Sequence, residues 1–187
     1  MIAVDVETTG VFPHKHSILS IGAVDMANPS NTFYAECRAW DGAEIEDEAL
    51  AVNGFTREQA NDLARNSEED TMRDFVAWVK RIGIDKPLLC GQNAAFDREF
   101  VRAACERAGI KSPFNYRVVD LHSVAWFYIT SHGSQPPKNL SLNRIMEMTG
   151  AGREPDPHNA LTGAMCSAEC ISRLLTGTSL FPATFSV

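Results

Sequence analysis

Two acidic residues near the start of the chain, Asp5 and Glu7, have a spacing that suggests metal chemistry. The segment Met1–Val6 predicts a β-strand, and residues two apart along a strand project from the same face. Like charges at the end of an apolar strand repel each other unless a cation holds them, and carboxylate oxygens suit Mg²⁺ or Mn²⁺. The alternative is a solvated strand end, which is the commoner place for isolated acidic residues.

A third carboxylate, Asp97, follows the short apolar segment Pro87–Gly91 and lies in the first turn of a predicted helix. A carboxylate in this position often does no more than complement the positive N-terminal end of the helix. Beside Asp5 and Glu7, we interpret Asp97 as a third metal ligand.

His158 opens the last predicted helix, which extends to about Leu175. A single histidine in this position is usually a capping or surface residue. On its own, this histidine does not indicate a function.

Three segments around these residues resemble the motifs of one enzyme family, the DEDDh-type or DnaQ-like 3′-5′ exonucleases of the ribonuclease H-like superfamily. They are DVETTG at residues 5–10, NAAFD at residues 93–97 and HNALTG at residues 158–163. The similarity covers about residues 1–175. We interpret residues 1–187 as a single exonuclease domain.

The resemblance implies a reaction in which two divalent cations, Mg²⁺ or Mn²⁺, assist the removal of nucleoside 5′-monophosphates from the 3′ end of single-stranded DNA or RNA. Asp5 would bridge both ions, Glu7 and a final aspartate would hold one of them, and Asp97 would support the other. His158 would take the proton from the attacking water. The resemblance thus implies four catalytic residues, three of which are also metal ligands.

The resemblance also implies a set of substrate-binding residues, namely Thr8, Thr9, Gly10, Asn93 and Phe96, and we add Phe12 because aromatic residues stack on bases in single-strand sites. The turn at Gly10 would let backbone amides approach the terminal nucleotide. The ring of Phe12 would stack on a base, although an apolar residue beside a turn more often packs in the core. None of these residues distinguishes DNA from RNA.

Gly163 stands where the family has its last metal-binding aspartate. Removing a carboxylate takes a formal charge and its oxygen ligands from the site, which lowers metal affinity. Three explanations are open: an introduced change, a natural loss that leaves a binding domain, or a carboxylate supplied from elsewhere. The candidates for a substitute are Glu169, on the same predicted helix, and Asp156, upstream in a Pro-flanked loop.

The chemistry requires elements that position these residues, and the pattern predicts an α/β domain with a mixed sheet of about five strands, three of them leading and antiparallel. The predicted strands are Met1–Val6, Ser17–Val24, Asn31–Arg38, Pro87–Gly91 and Val118–Leu121. The predicted helices are Ser67–Ile82, Ala94–Gly109, one through Trp126, a Ser141-capped helix that ends at Gly150, and the last one from about His158. A ribonuclease H-like sheet flanked by helices is what the resemblance implies.

The composition is that of an ordinary folded protein of 187 residues, with 44% hydrophobic and 22% charged residues. There is no long apolar run, so we expect neither a secretion signal nor a membrane span, and five scattered cysteines favour reduced thiols in the cytoplasm. The net charge of −7 argues against broad nonspecific coating of nucleic acid. It does not exclude a nuclease, because metal ions supply local positive charge.

The expected partner is the 3′ end of a nucleic acid. The resemblance allows a homodimer and a polymerase partner, while the lack of an appended polymerase or helicase segment favours a stand-alone trimming enzyme or a separate proofreading subunit. The alternative function is a catalytically inactive 3′-end binding module, which Gly163 supports. The match at the other four catalytic positions favours an enzyme.

Overall fold

The computed structural model describes residues 1–154 and 159–182. The strands in these ranges are β1 (Ile2–Thr8), β2 (Ile18–Asp25), β3 (Thr32–Glu36), β4 (Leu89–Gly91) and β5 (Val118–Asp120). The helices are α1 (Asp47–Asn53), α2 (Arg57–Ala60), α3 (Glu68–Arg81), α4 (Ala94–Arg107), α5 (Leu121–Ser131), α6 (Leu142–Thr149) and α7 (Ala160–Thr176).

The strands form one mixed sheet in the order β3-β2-β1-β4-β5. Strands β1, β2 and β3 pair antiparallel, and β4 and β5 continue the sheet parallel to β1. The step from β4 to β5 passes through α4, because parallel neighbours cannot be joined by a tight hairpin. The predicted mixed α/β sheet with three leading antiparallel strands is confirmed.

Helices cover both faces of the sheet, which explains why its central strands are apolar. Every residue of β2 is buried, whereas the edge strand β3 alternates between exposed and half-buried residues. On one face, Val4 of β1 packs in a core with Phe75 of α3 and Phe100 of α4. Its neighbour Ala3 belongs to a second core, with Ile145 of α6. Residues of β1 therefore alternate between two cores.

Hydrogen-bonding caps account for several helix boundaries that the sequence predicts. At the start of α3, the hydroxyl of Ser67 accepts a hydrogen bond from the N–H of Asp70 at 3.0 Å, as expected of an N-cap. Helix α6 begins after Ser141 and ends at Gly150, whose φ of 72° is the left-handed conformation that favours glycine. The predicted start of the last helix at His158 lies outside the described residues.

A buried ion pair ties helices α3 and α4 to the start of β2. The side chain of Glu68 is only 3% exposed and accepts hydrogen bonds from Arg107 Nε at 2.7 Å and Nη2 at 2.9 Å. It also accepts the hydroxyl of Ser17 and the N–H of Ile18, each at 2.9 Å. A buried charge is stable only when it is paired and hydrogen-bonded, so this network fixes the strand that lies beside β1.

The five cysteines are buried free thiols. Burial raises the pKa of each thiol, for Cys37 and Cys90 to about 12, so the reactive thiolate form is suppressed. Within residues 1–154 and 159–182, no helix combines the length and the apolar character that crossing a membrane requires.

Candidate active site

Strand β1 presents Asp5 and Glu7 on one face of the sheet, as their spacing predicts. In the antiparallel pairing with β2, Asp5 lies opposite Gly22 and Glu7 lies opposite Ser20. The register then shifts between Glu7 and Thr8, an irregularity that often re-aims side chains at functional sites. The two carboxylates therefore lie beside small residues on β2.

Asp97 reaches this strand from the first turn of α4. Its side chain is 3% exposed, and Oδ1 accepts a hydrogen bond from the N–H of Val6 at 3.0 Å. Asp120 supports the same junction by accepting the N–H of Ala94 at 3.1 Å, while its other oxygen accepts the N–H of Ser123 at the start of α5. Asp97 therefore contacts the strand between the two strand carboxylates, and Asp120 holds the helix that carries it.

The charges of neighbouring carboxylates contribute to the raised pKa values of Asp5 and Asp97. Burial is the main reason that the pKa of Asp5 lies well above its ordinary value, and the charges of Asp97, Glu7 and Glu154 raise it further. Burial also raises the pKa of Asp97 to about 8, with smaller contributions from Glu7 and Asp120, while backbone hydrogen bonds lower it. A cluster of this kind is costly to ionise without a counter-ion.

Helix α7 crosses the same face of the sheet at its first turn. Gly22 permits the crossing, because a Cβ at that position would overlap the backbone of Ala160 and Leu161. The contact sets Gly163 directly against Asp5: a Cβ on residue 163 would lie 2.8 Å from Asp5 Cγ and closer still to its Oδ2. Gly163 thus faces the strand carboxylates, as a ligand at this position would.

Glu154 is a site residue that the sequence reasoning missed. Its Oε1 lies 3.3 Å from the point that a Cβ of residue 163 would occupy, and its charge contributes to the raised pKa of Asp5. Glu154 belongs to the loop between α6 and α7, so neither strand nor helical spacing relates it to Gly163. Of the residues between α6 and α7, the sequence suggested Asp156 as a substitute carboxylate and not Glu154.

Glu169, one of the substitutes expected from the sequence, has a structural role. Its Oε1 accepts a hydrogen bond from Arg173 Nε at 2.5 Å, and its Oε2 accepts the N–H of Leu180 at 2.8 Å and of Phe181 at 3.1 Å. These bonds hold α7 against the segment that follows it and occupy both oxygens. The other substitute, Asp156, and the general base His158 lie outside the described residues, so their roles stay predictions.

The loop after β1 is held by its own side chains. The hydroxyl of Thr9 accepts the N–H of Ser17 at 2.9 Å and donates to a backbone carbonyl at 2.7 Å, and the hydroxyl of Thr8 donates to the carbonyl of Gly10 at 2.7 Å. Gly10 packs against the ring of His16, which lies 2.5 Å from where a Cβ would stand. Glycine is required there by this close approach, and the predicted substrate contacts of Thr8 and Thr9 stay predictions.

Phe12 lies at the rim of the site rather than in the core. Its side chain is 58% exposed and stacks on His16, with ring centroids 5.9 Å apart. At the start of α4, Asn93 is exposed with a φ of 57°, while Phe96 is half-buried and its ring centroid lies 4.8 Å from that of Phe100. Of these predicted substrate residues, Phe12 and Asn93 are accessible.

The donor set fits divalent cations. Within residues 1–154 and 159–182, no three acidic, histidine or cysteine side chains are already arranged as a finished metal site. The oxygens of Asp5, Glu7, Asp97 and Glu154 are nevertheless hard donors of the type that Mg²⁺ and Mn²⁺ prefer. Their mutual repulsion in a buried place, evident in the raised pKa of Asp5, is the cost that a bound cation would remove.

Comparisons with known proteins point to one family. The family model for exonucleases described as RNase_T matches residues 2–171 of this chain. Ribonuclease T of Yersinia enterocolitica is 33% identical over 127 residues, and that of Vibrio vulnificus (strain CMCP6) is 29% identical over 126 residues. Each match covers 61% of this chain and 58% of the relative, so the chain matches less than two thirds of the length of those relatives.

Solved structures support the same fold. The nuclease domain of 3′hExo, a DEDDh family member bound to rAMP, superposes with a TM-score of 0.75 at 17% identity, covering 95% of this chain and 92% of that one. Exonuclease I superposes with a TM-score of 0.74 at 18% identity, covering 98% and 42%. The expected ribonuclease H-like sheet is therefore confirmed. Because the family model spans most of the chain, the protein belongs to the RNase_T exonuclease family, of the DEDDh type.

Proposed function

We propose that this protein is a metal-dependent 3′-5′ exonuclease that releases nucleoside 5′-monophosphates from single-stranded nucleic acid. The observation that carries the proposal is the meeting of half-buried Asp5 and Glu7 with buried Asp97 around one end of β1, where the charges of Asp97 and Glu7 contribute to the raised pKa of Asp5. Family membership supports the reaction class. The similar proteins include ribonuclease T, a nuclease bound to rAMP and exonuclease I with single-stranded DNA, so both RNA and DNA are substrates to test.

In the proposed mechanism, the chain's own residues have separate tasks. Asp5 and Glu7 would hold the cations from β1, and Asp97 would hold them from α4. Mg²⁺ or Mn²⁺, when bound, supplies positive charge that activates water and stabilises the leaving 3′ oxygen. His158 would accept the proton of the attacking water.

The 3′ end would enter beside the loop that follows β1. The exposed ring of Phe12 is supported from behind by His16, so it could stack on a base without being displaced. A groove of about 200 Å³ adjoins Ser20, the residue opposite Glu7, and Arg65 lines its other side. This groove would take the preceding nucleotide. Thr8, Thr9, Gly10, Asn93 and Phe96 stay predicted substrate contacts.

A second candidate is a 3′-end binding module without catalytic activity, and Gly163 is the observation that favours it. Such a module would keep the metal-assisted grip on the terminal phosphate but position the water poorly. A cytoplasmic location, a homodimer and a polymerase partner also stay predictions.

The proposal is tested by incubating the protein with 3′-labelled and 5′-labelled single-stranded DNA and RNA in Mg²⁺ or Mn²⁺. We expect stepwise shortening from the 3′ end, slowed at least about a hundredfold by Asp5→Asn because the isosteric amide removes a charge that the cations need. The matched control is Glu106→Gln, an exposed change at the far end of α4, which should leave the rate unchanged. Equal rates for the Asp5→Asn variant and the parent would reject the proposal. Metal-dependent binding without shortening would identify the binding module.

A further inference from the structure

We propose that Glu154 supplies the carboxylate that is missing at residue 163, so that this site takes its fourth acidic ligand from the loop before α7 rather than from α7 itself. The inference rests on the proposed metal-dependent function. If Glu154 is the fourth acidic ligand, the lack of a carboxylate at Gly163 does not by itself mean that activity is lost.

Glu154 lies close to the position that a side chain of residue 163 would take. The point that a Cβ of residue 163 would occupy is 3.3 Å from Glu154 Oε1 and 2.8 Å from Asp5 Cγ. An aspartate at position 163 would start its side chain at that point, directed at the same carboxylates. Glu154 therefore delivers a carboxylate oxygen to the region that the absent side chain would fill.

Gly163 and Glu154 occupy one space beside Asp5. With Asp5 where it stands, a side chain on residue 163 would overlap its carboxylate. The absence of a side chain leaves space for Asp5 and Glu154 to lie together. Gly163 therefore accommodates the present position of the Asp5 carboxylate, even though glycine inside a helix costs about 0.5–1 kcal/mol relative to alanine.

Hydrogen bonds fix the segment that carries Glu154. Its backbone N–H donates to Asn143 Oδ1 at 2.9 Å. The preceding residue, Arg153, donates to Glu147 Oε1 through Nη2 at 2.6 Å and through Nε at 3.0 Å. The turn that sends the chain back toward the sheet passes through Gly152, whose φ of 80° favours glycine.

The base of the loop is fixed as well. Arg173 of α7 donates to the carbonyls of Thr149 and Gly150, each at 3.1 Å, and its guanidinium is held in turn by Glu169. The loop is therefore anchored at both α6 and α7 before it reaches the site. An anchored loop loses less conformational freedom on binding a metal than a free one would.

The electrostatic pattern agrees with this placement. The charge of Glu154 acts on Asp5 and also on Cys166, which lies one turn beyond Gly163 on α7. Glu154 therefore faces the site from the side of α7. Both oxygens of Glu169 hold Arg173 and the segment around Leu180.

The test is Glu154→Gln, which keeps the size of the side chain and removes its charge. We expect calorimetry to show Mn²⁺ affinity weakened at least about tenfold, and the rise in melting temperature that Mn²⁺ gives the parent to shrink accordingly. Glu154→Asp should lie between the parent and Glu154→Gln because it retains a shorter carboxylate. Glu106→Gln is the surface control and should bind Mn²⁺ like the parent.

The outcomes separate this inference from the proposed function. Parent-like Mn²⁺ binding by Glu154→Gln, together with loss of binding and cleavage in Asp5→Asn, would overturn the role of Glu154 and leave the exonuclease intact. Parent-like cleavage by Asp5→Asn would instead overturn the function. Absence of Mn²⁺ binding by the parent would overturn the inference directly. Melting of each variant in EDTA shows whether it is folded before these results are compared.

Discussion

At the scale of single residues, the site is dominated by the cost of burying like charges. The pKa of Asp5 is raised by burial and then by Asp97, Glu7 and Glu154, so the metal-free cluster resists ionisation. A protein stores this unfavourable energy in a site when a ligand will later relieve it. The acidic cluster is therefore a source of instability without metal and of metal affinity with it.

This cost predicts a pH-dependent effect of Asp97→Asn. Folding raises the pKa of Asp97 from 3.8 to about 8. The stability that this protonated group contributes to the free energy of unfolding is therefore fully present below about pH 3.8 and is lost as the pH rises through the folded value. Asparagine cannot ionise and can still accept the N–H of Val6. In EDTA we expect the variant to melt a few degrees above the parent at pH 8.5.

The same comparison at pH 4.5 supplies the control, because Asp97 is then protonated in the folded parent and the difference in melting temperature should shrink. A difference that is constant between the two pH values would show that the pKa of Asp97 is not raised. In Mn²⁺ the order should reverse at pH 8.5, since only the parent then gains stability from the metal.

The relation of Asp5 to Glu7 could be predicted because it is local, whereas Asp97 contacts β1 across 91 positions and was linked to it by the resemblance of its motif. Alternation along a strand puts Asp5 and Glu7 on one face, and a strand followed by a helix puts Asp97 at the edge of the sheet. Glu154 could not be found in this way, since its approach to Gly163 depends on the path of a loop. That path is set by tertiary bonds such as the one to Asn143.

At the scale of elements, the position of α7 is decided by its contact with β2. Gly22 lies opposite Asp5 in the sheet and directly under the backbone of Ala160 and Leu161. The start of α7 is further tied to β3, because Asn159 donates a hydrogen bond to the hydroxyl of Tyr34 at 2.9 Å. Both contacts bring the first turn of the helix over the acidic residues.

We therefore expect Gly22→Ala to act on both stability and the site. The new Cβ would meet backbone atoms, which cannot rotate away, so α7 must shift at a cost of about 1–3 kcal/mol in unfolding free energy. Urea denaturation measures that cost, and calorimetry with Mn²⁺ should show weaker binding because Gly163 moves with the helix. Thr32→Ala, an exposed change on β3, is the control. Unchanged stability in Gly22→Ala would contradict the tight contact.

Helices with local capping signals were accessible to prediction, whereas their mutual placement was not. Ser67 and Ser141 mark the starts of α3 and α6 because an N-cap depends on neighbouring residues alone. The segment 45–65 contains the short helices α1 and α2, which the sequence analysis did not predict. The crossing of α7 over Gly22 depends on residues far apart in the chain, and no local pattern encodes it.

At the scale of the whole molecule, a net charge of −7 must be reconciled with a polyanionic substrate. Such a protein repels nucleic acid at long range, and its acidic cluster adds to the repulsion at the site itself. Attraction must come from bound cations and from short-range stacking, as on the exposed ring of Phe12.

Substrate binding should therefore require metal. We expect a fluorescent single-stranded oligonucleotide with a phosphorothioate 3′ linkage to bind at least about tenfold more weakly in EDTA than in Mn²⁺, by anisotropy at constant ionic strength. The Asp5→Asn variant should respond less to Mn²⁺ than the parent. Equal binding in EDTA and Mn²⁺ would mean that the 3′ end is held elsewhere on the surface.

The bonds of Glu169 and Arg173 link the far end of the described chain to the centre of the molecule. The backbone N–H groups of Leu180 and Phe181 donate to Glu169, whose carboxylate also accepts a hydrogen bond from Arg173. Arg173 in turn donates to the carbonyl of Gly150, close to the start of the loop that carries Glu154. Shortening the chain after α7, or fusing another protein there, would disturb the hydrogen bonds from Leu180 and Phe181 to Glu169. Such an alteration would reach Glu154 through Arg173, so the choice of chain end belongs among the determinants of metal affinity.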